Sequence, residues 1–197
     1  IHDERTRIDA LVQMASHDSL TGLFNHNYAR ERIKERMEDR QAGVFALAIF
    51  DLDHFKSAND NYGHMFVDKV LIHMAEQLRR STRGGDIAAR VGGDEFLIFL
   101  EYKEEAETAI QRIFTSLEGT FEDFQISVSM GVVRTDVVGT DYDTLFHAAD
   151  QALYAAKRSG RGQYRFYDDS MQEMLSVISP IDGSEEKPAD QTGERGM

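Results

Sequence analysis

The hydrophobic pattern divides the chain into segments of two periods. Residues 44–50 form an unbroken apolar run of strand length, the mark of a strand covered on both faces. Residues 87–91 and 96–100 read as paired strands, with Gly92 and Gly93 supplying the tight turn between them. Ile126, Val128, Met130 and Val132 alternate with polar or small neighbours, which predicts a half-buried strand, and residues 164–167 predict a last one. Elsewhere the period lengthens. Val67, Val70, Leu71, Met74, Ala75 and Leu78 recur at helical spacing, and residues 104–117 and 142–157 predict two more helices. Asp18 or Ser19 stands where it could cap a helix running to about Arg40. This order predicts an α/β (α+β) domain with a mainly antiparallel central sheet flanked by helices.

Both ends depart from the pattern. Ile8, Leu11, Val12 and Ala15 recur at helical spacing within residues 1–16. One amphipathic helix is too little to fold alone. It is either packed on its own domain or the end of a linker from an upstream module. Residues 171–197 hold both prolines, Pro180 and Pro188, beside Gly183, Ser184, Glu185 and Glu186, the composition of a flexible tail. Three zones are therefore expected: a helical linker over 1–16, a catalytic-size domain over 17–170 and a tail over 171–197.

Charge narrows the functions that such a domain can have. The net charge is −13 over 197 residues, which disfavours general nucleic-acid binding. It suits a divalent cation, and it permits a small phosphorylated ligand held by a few local cations. The chain has no cysteine, which excludes disulfides and thiolate metal sites. It has no apolar run of about 18 residues and no signal peptide, so no membrane contact by this stretch and a cytoplasmic location are expected.

Three polar clusters could carry chemistry. Asp51-Leu52-Asp53 ends the apolar run at 44–50 and is followed by Phe55, Lys56, Asn59 and Asp60. Carboxylates at a strand end suit a metal, and a lysine beside free N–H groups at a helix start suits phosphate. Alone, this cluster reads first as a solvated turn that also caps the next helix. Gly92-Gly93-Asp94-Glu95 puts two acids directly after a side-chain-free turn. If that hairpin pairs beside the 44–51 strand, Asp94 faces Asp51, and two facing carboxylates call for a divalent cation between them. Lys157-Arg158-Ser159-Gly160-Arg161-Gly162 reads as a helix C-terminus whose cations complement the dipole, a role compatible with phosphate binding. A GxxxxGK(S/T) loop, a GxSxG elbow and HExxH spacing are all missing from the sequence.

Taken together the clusters resemble the GGDEF family of diguanylate cyclases, over roughly residues 17–168. Residues 18–25, DSLTGLFN, are similar to the family's DxLTGLxN start, and residues 51–60 to its DxDxFKxxND segment. Tyr62-Gly63-His64 and Asp68 follow in register, Gly92-Gly93-Asp94-Glu95-Phe96 is the name-giving signature, and residues 154–161 are similar to YxAKxxGR. The resemblance implies a nucleotide-cyclase or polymerase-palm-like fold. It implies condensation of two GTP into cyclic di-GMP and two pyrophosphates by a homodimer, with Mg²⁺ (or Mn²⁺).

Roles carry over residue by residue. The resemblance makes Asp51, the Leu52 carbonyl, Asp94 and Glu95 the metal ligands, and Asp94, Glu95 and Lys56 the catalytic set, Asp94 being the candidate base for the 3′-hydroxyl. Asn59 and Asp68 become guanine readers. A carboxylate accepts guanine's N1–H and 2-amino donors together, which adenine cannot offer. Lys56, Lys157 and Arg161 become triphosphate contacts, with Phe55, Gly92 and Gly93 beside the substrate. Arg83-Gly84-Gly85-Asp86 matches the RxxD product-inhibition motif, so Arg83 and Asp86 would bind cyclic di-GMP with Arg90 as helper. The first helix resembles the family's linker from an upstream sensory domain. The chain departs from the family at His26 and Asn27, where a basic pair is usual, at Val67 in place of glycine, and at Gly162 in place of asparagine. Alternatives to catalysis are a silent GGDEF module that binds GTP or cyclic di-GMP as a receptor, and a dimerisation domain with a vestigial site. A cyclase for ATP is a third, against which Asp68 argues.

Overall fold

The computed structural model describes residues 11–39, 43–102 and 105–171. Residues 11–16 are helical, and His17 bridges to Phe24. The described elements then run β1 (Phe24–Asn25), α1 (His26–Glu38), β2 (Val44–Leu52), α2 (Phe55–Tyr62), α3 (His64–Ser81), β3 (Ile87–Gly92) and β4 (Glu95–Tyr102). They continue with α4 (Ala106–Leu117), β5 (Gly119–Phe121), β6 (Phe124–Ile126), β7 (Val128–Arg134), α5 (Thr135–Val138), α6 (Tyr142–Arg158) and β8 (Tyr164–Phe166). Most of the expected 1–16 linker and 171–197 tail lies outside the described residues.

Six strands form one sheet in the order β1-β3-β4-β2-β7-β8, and β5–β6 is a separate hairpin. The four central strands pair antiparallel, and both edges, β1 on β3 and β8 on β7, pair parallel. The sheet is mixed because α6 returns the chain from β7 to β8 as a crossover, which yields parallel neighbours. Alternation along β2 splits the core in two. Ala46, Ala48 and Phe50 pack with Val70, Leu71 and Met74 of α3 and Ile110 and Ile113 of α4. Phe45, Leu47 and Ile49 pack with Ala29 and Ile33 of α1 and Leu145, Ala149 and Ala152 of α6. With helices on both faces, β2 must be apolar throughout, as its run at 44–50 indicates.

Three expectations are corrected. Residues 128–133 are buried on both faces, so β7 is a central strand; its alternation reflects small residues, Ser129 and Gly131, beneath α6. Gly131 is required there, since a Cβ would lie 2.1 Å from both the Ala149 carbonyl oxygen and the Leu153 nitrogen. Gly131→Ala is expected to destabilise the fold by about 3 kcal/mol or more, because backbone cannot move aside as a side chain can, and calorimetry would register it. The cap of α1 is Asn25, whose side chain accepts from the Tyr28 N–H, and not Asp18 or Ser19. Asp18 instead closes a turn, accepting from the Thr21 N–H and hydroxyl. Finally, the region after β2 is two helices, broken at Gly63, whose φ of +82° takes the chain out of helical geometry. Among the described residues no helix is long and apolar enough to cross a membrane.

Candidate functional site

The site lies at the end of the sheet where β2 stops, the β3–β4 hairpin turns and α6 finishes. β2 carries Asp51 to this edge, where it lies between Glu95 of β4 and Ser129 of β7. Asp51 thus sits across from Glu95, whereas Asp94 occupies the two-residue turn with Gly93, whose φ is +54°. The expected Asp51–Asp94 pair is corrected to that extent: Asp94 still raises the Asp51 carboxyl, but from the turn. Gly92 and Gly93 are exposed, leaving the backbone open to a ligand.

Lys157, in the last turn of α6, donates to Asp51 Oδ2. Asp51 Oδ1 is buried and has no hydrogen-bond partner among the described residues. A buried carboxylate oxygen without a donor is costly unless something cationic meets it. The titration behaviour agrees. Burial pushes Asp51 up, with Lys157 opposing and Asp94 and Asp53 adding to the rise. Burial likewise raises Asp94, and it raises Glu95 with help from Asp150 and Asp51.

These residues fit a divalent cation, on the evidence of the orphaned Asp51 oxygen and the three crowded carboxylates. Among the described residues no three acidic, histidine or cysteine side chains form a ready-made cage. That is compatible with Mg²⁺, which needs one or two carboxylates, a carbonyl such as that of Leu52, and substrate phosphate oxygens.

The turn carrying the third cluster is built from left-handed backbone: Gly160, Arg161 and Gly162 have φ of +115°, +64° and +55°. Asn tolerates φ near +55° almost as Gly does, which explains why Gly162 can stand where the resemblance expects asparagine. Asp53 is 5% exposed and accepts from Ser127 Oγ, Ser129 Oγ and the Gly162 N–H. The sequence names Asp53 only as part of a polar cluster and, unlike Asp51, gives it no role.

The remaining candidates lie around this edge. Phe55 and Lys56 open α2, whose start no side chain caps. Phe55 is packed against the core and Lys56 is exposed. Asn59 is half-buried on α2 and Asp68 is exposed on α3, one residue after the buried Val67. His26 stacks on Phe146 and pairs with the Tyr142 hydroxyl, so it is held against α6.

Arg83 and Asp86 are elsewhere, in the turn before β3, where the Arg83 N–H donates to Asp86 Oδ2. With Arg36 and Arg112 they line a cavity of about 680 Å³. Arg90 does not line it. Its guanidinium donates to the Gly93 carbonyl and to both oxygens of Asp18. Arg90 therefore braces the glycine turn, and the cations that accompany Arg83 are Arg36 and Arg112, which no motif marks.

The family model for the diguanylate cyclase GGDEF domain matches residues 15–163. The chain belongs to the GGDEF family. It is 36% identical over 183 residues to the bifunctional diguanylate cyclase/cyclic di-GMP phosphodiesterase MucR of Pseudomonas aeruginosa, covering 87% of this chain and 27% of MucR. The chain thus spans about a quarter of that relative. Its fold matches the GGDEF domain of YfiN from Pseudomonas aeruginosa with a TM-score of 0.75 and 30% identity, over 81% of this chain and 99% of that one. It also matches the coiled coil and GGDEF domain of DgcB from Caulobacter crescentus in complex with c-di-GMP, with a TM-score of 0.74 and 26% identity, over 84% and 92%. In this GGDEF domain the signature's Asp94 and Glu95 and the YxAKxxGR-like Lys157 meet at one sheet edge, 62 or more residues apart in sequence yet sharing Asp51 as a common neighbour.

Proposed function

We propose that the chain is a diguanylate cyclase that condenses two GTP into cyclic di-GMP and two pyrophosphates. The observation that carries this reading is Asp51: one oxygen held by Lys157, the other buried and unpaired, beside Asp94 and Glu95. Asp51, the Leu52 carbonyl, Asp94 and Glu95 would hold Mg²⁺ (or Mn²⁺), which supplies charge stabilisation at the α-phosphate when bound. Lys56, Lys157 and Arg161 hold the triphosphate, and Asn59 and Asp68 read guanine, Asp68 accepting two donors at once. Asp94 accepts the proton of the attacking 3′-hydroxyl, a task suited to a carboxylate whose proton affinity burial has raised.

One site holds one GTP, so two copies must meet face to face. Helical residues 11–16 leave Leu11, Val12 and Met14 exposed, an apolar stripe that supports pairing of two chains. Residues 1–16 would link an upstream sensory domain to the cyclase domain over 17–170. Product inhibition would act at the Arg83–Asp86 cavity; three arginines lining it support that reading, since they suit two phosphates.

The test is to incubate the chain with GTP and Mg²⁺ and separate the nucleotides. Cyclic di-GMP and pyrophosphate that vanish in Asp94→Asn support the cyclase. Silence in a chain joined as a dimer, with GTP or cyclic di-GMP still bound, replaces it with a receptor.

The raised carboxyls give a pH signature. Burial raises Asp51, Asp94 and Glu95 above their ordinary carboxylate values, so they bind protons more tightly in the folded chain than in the unfolded one and acidification favours the metal-free fold. That gain is lost as pH rises from their ordinary values through the raised ones. Mg²⁺ needs the ionised forms. The rise in melting temperature on adding Mg²⁺ is therefore expected to be larger at pH 8 than at pH 5.5.

A further inference from the structure

We propose that Asp53 is a positioning residue for the triphosphate: its buried carboxylate fixes the turn that carries Arg161, directly after the helix end that carries Lys157. The inference rests on the cyclase reading of those two cations and adds to it a residue with no substrate contact.

Asp53 stands one residue past β2 with its backbone N–H on the Ser127 carbonyl at 2.8 Å. Its side chain accepts from Ser127 Oγ at 2.7 Å and Ser129 Oγ at 2.7 Å, both from the β7 side. The remaining bond leaves the sheet: the Gly162 N–H donates to Asp53 Oδ2 at 3.0 Å. Sheet pairing alone does not need such a buried charge, since β2 and β7 already pair from Ala46–Arg134 to Leu52–Val128. The turn does need an anchor. Arg161 is a non-glycine residue at positive φ, a conformation that persists only where surrounding structure over-determines it. The Arg161 N–H is bound to the Ala156 carbonyl on the helix side, and the next N–H, Gly162, is bound to Asp53 on the sheet side. Between these two bonds the backbone at Arg161 is clamped, and its exposed side chain leaves the turn that follows the last turn of α6, where Lys157 stands. A carboxylate is the group of choice because it accepts several bonds at once and binds each N–H or O–H more strongly than a neutral oxygen.

Two ligands separate positioning from stability. One is GMP. The other is a GTP analogue whose α–β bridging oxygen is replaced by methylene. Both are titrated with Mg²⁺ into wild type, Asp53→Ala, Asp53→Asn and Ser129→Ala. Asp53→Ala is expected to weaken the GTP analogue about tenfold, the scale of one lost charge-assisted bond, while GMP changes less than about twofold. In turnover the same variant raises KM for GTP more than it lowers kcat. Asp53→Asn, which keeps an acceptor oxygen, recovers part of the loss. Ser129→Ala, which removes a donor from Oδ1 and spares the Gly162 bond, keeps the wild-type ratio of the two affinities. If Asp53→Ala does not fold, Asp53→Asn decides by the same ratio. An unchanged ratio in folded Asp53 variants overturns the positioning role and leaves the cyclase reading standing. Wild type that does not prefer the GTP analogue to GMP overturns both.

Discussion

Asp94→Asn is expected to cut cyclic di-GMP formation by roughly a thousandfold or more, the scale of losing a general base that is also a metal ligand. The metal-free protein should at the same time melt a few degrees higher. The two effects have one cause. Asp94 is raised by burial, and it raises Asp51 and Glu95 in turn. Its charge is a cost to the metal-free fold and, on the proposed reading, a requirement of the loaded site. Asparagine keeps the shape of the turn and removes that charge. Turnover by chromatography and melting by calorimetry check the two halves. A variant that is inactive but also less stable would mean that Asp94 braces the hairpin and does not face a cation. Retained turnover would remove Asp94 from the metal and base roles altogether.

The second large effect is expected at the other cavity. Arg83→Ala should raise the inhibition constant for cyclic di-GMP by about 30-fold or more, as expected for removing a charged partner from a phosphate. Arg112→Ala should act in the same direction, because Arg112 lines the same cavity. Arg90→Ala should not relieve inhibition. Its guanidinium holds the Gly93 carbonyl and Asp18, so its loss should loosen the signature turn and lower turnover. Initial rates over a range of added product distinguish these outcomes. Inhibition unaltered in Arg83→Ala and Arg112→Ala would reduce residues 83–86 to a turn before β3.

Much of the site could be read from residue order. The apolar run ending in Asp51-Leu52-Asp53, the glycine turn followed by two acids, and the basic helix end are each visible as a polar cluster in residue order, and only their combination points to a chemistry. What joined them was the sheet. β4 pairs with β2 so that Glu95 meets Asp51, and Gly131 lets α6 approach β7 closely enough for Lys157 to reach Asp51. Arg90 shows the limit from the other side. Its place near RxxD in the chain suggested a shared role, but β3 carries it from the cavity to the opposite end of the strand.

The sequence by itself determined the two-period pattern, the doubly covered β2, the polar clusters and the family, because these depend on the order of side chains along one segment. Only the tertiary structure decided which charges neighbour one another. It made the parallel sheet edges, buried both faces of β7, transferred the cap of α1 to Asn25, separated Arg90 from Arg83, and distinguished Asp53 with its three donors from Asp51 with an unpaired oxygen. Burial and hydrogen-bond supply are set by segments distant in sequence. Two aspartates two residues apart therefore end differently, one with its carboxylate fully supplied with donors and the other with a buried oxygen that has none among the described residues.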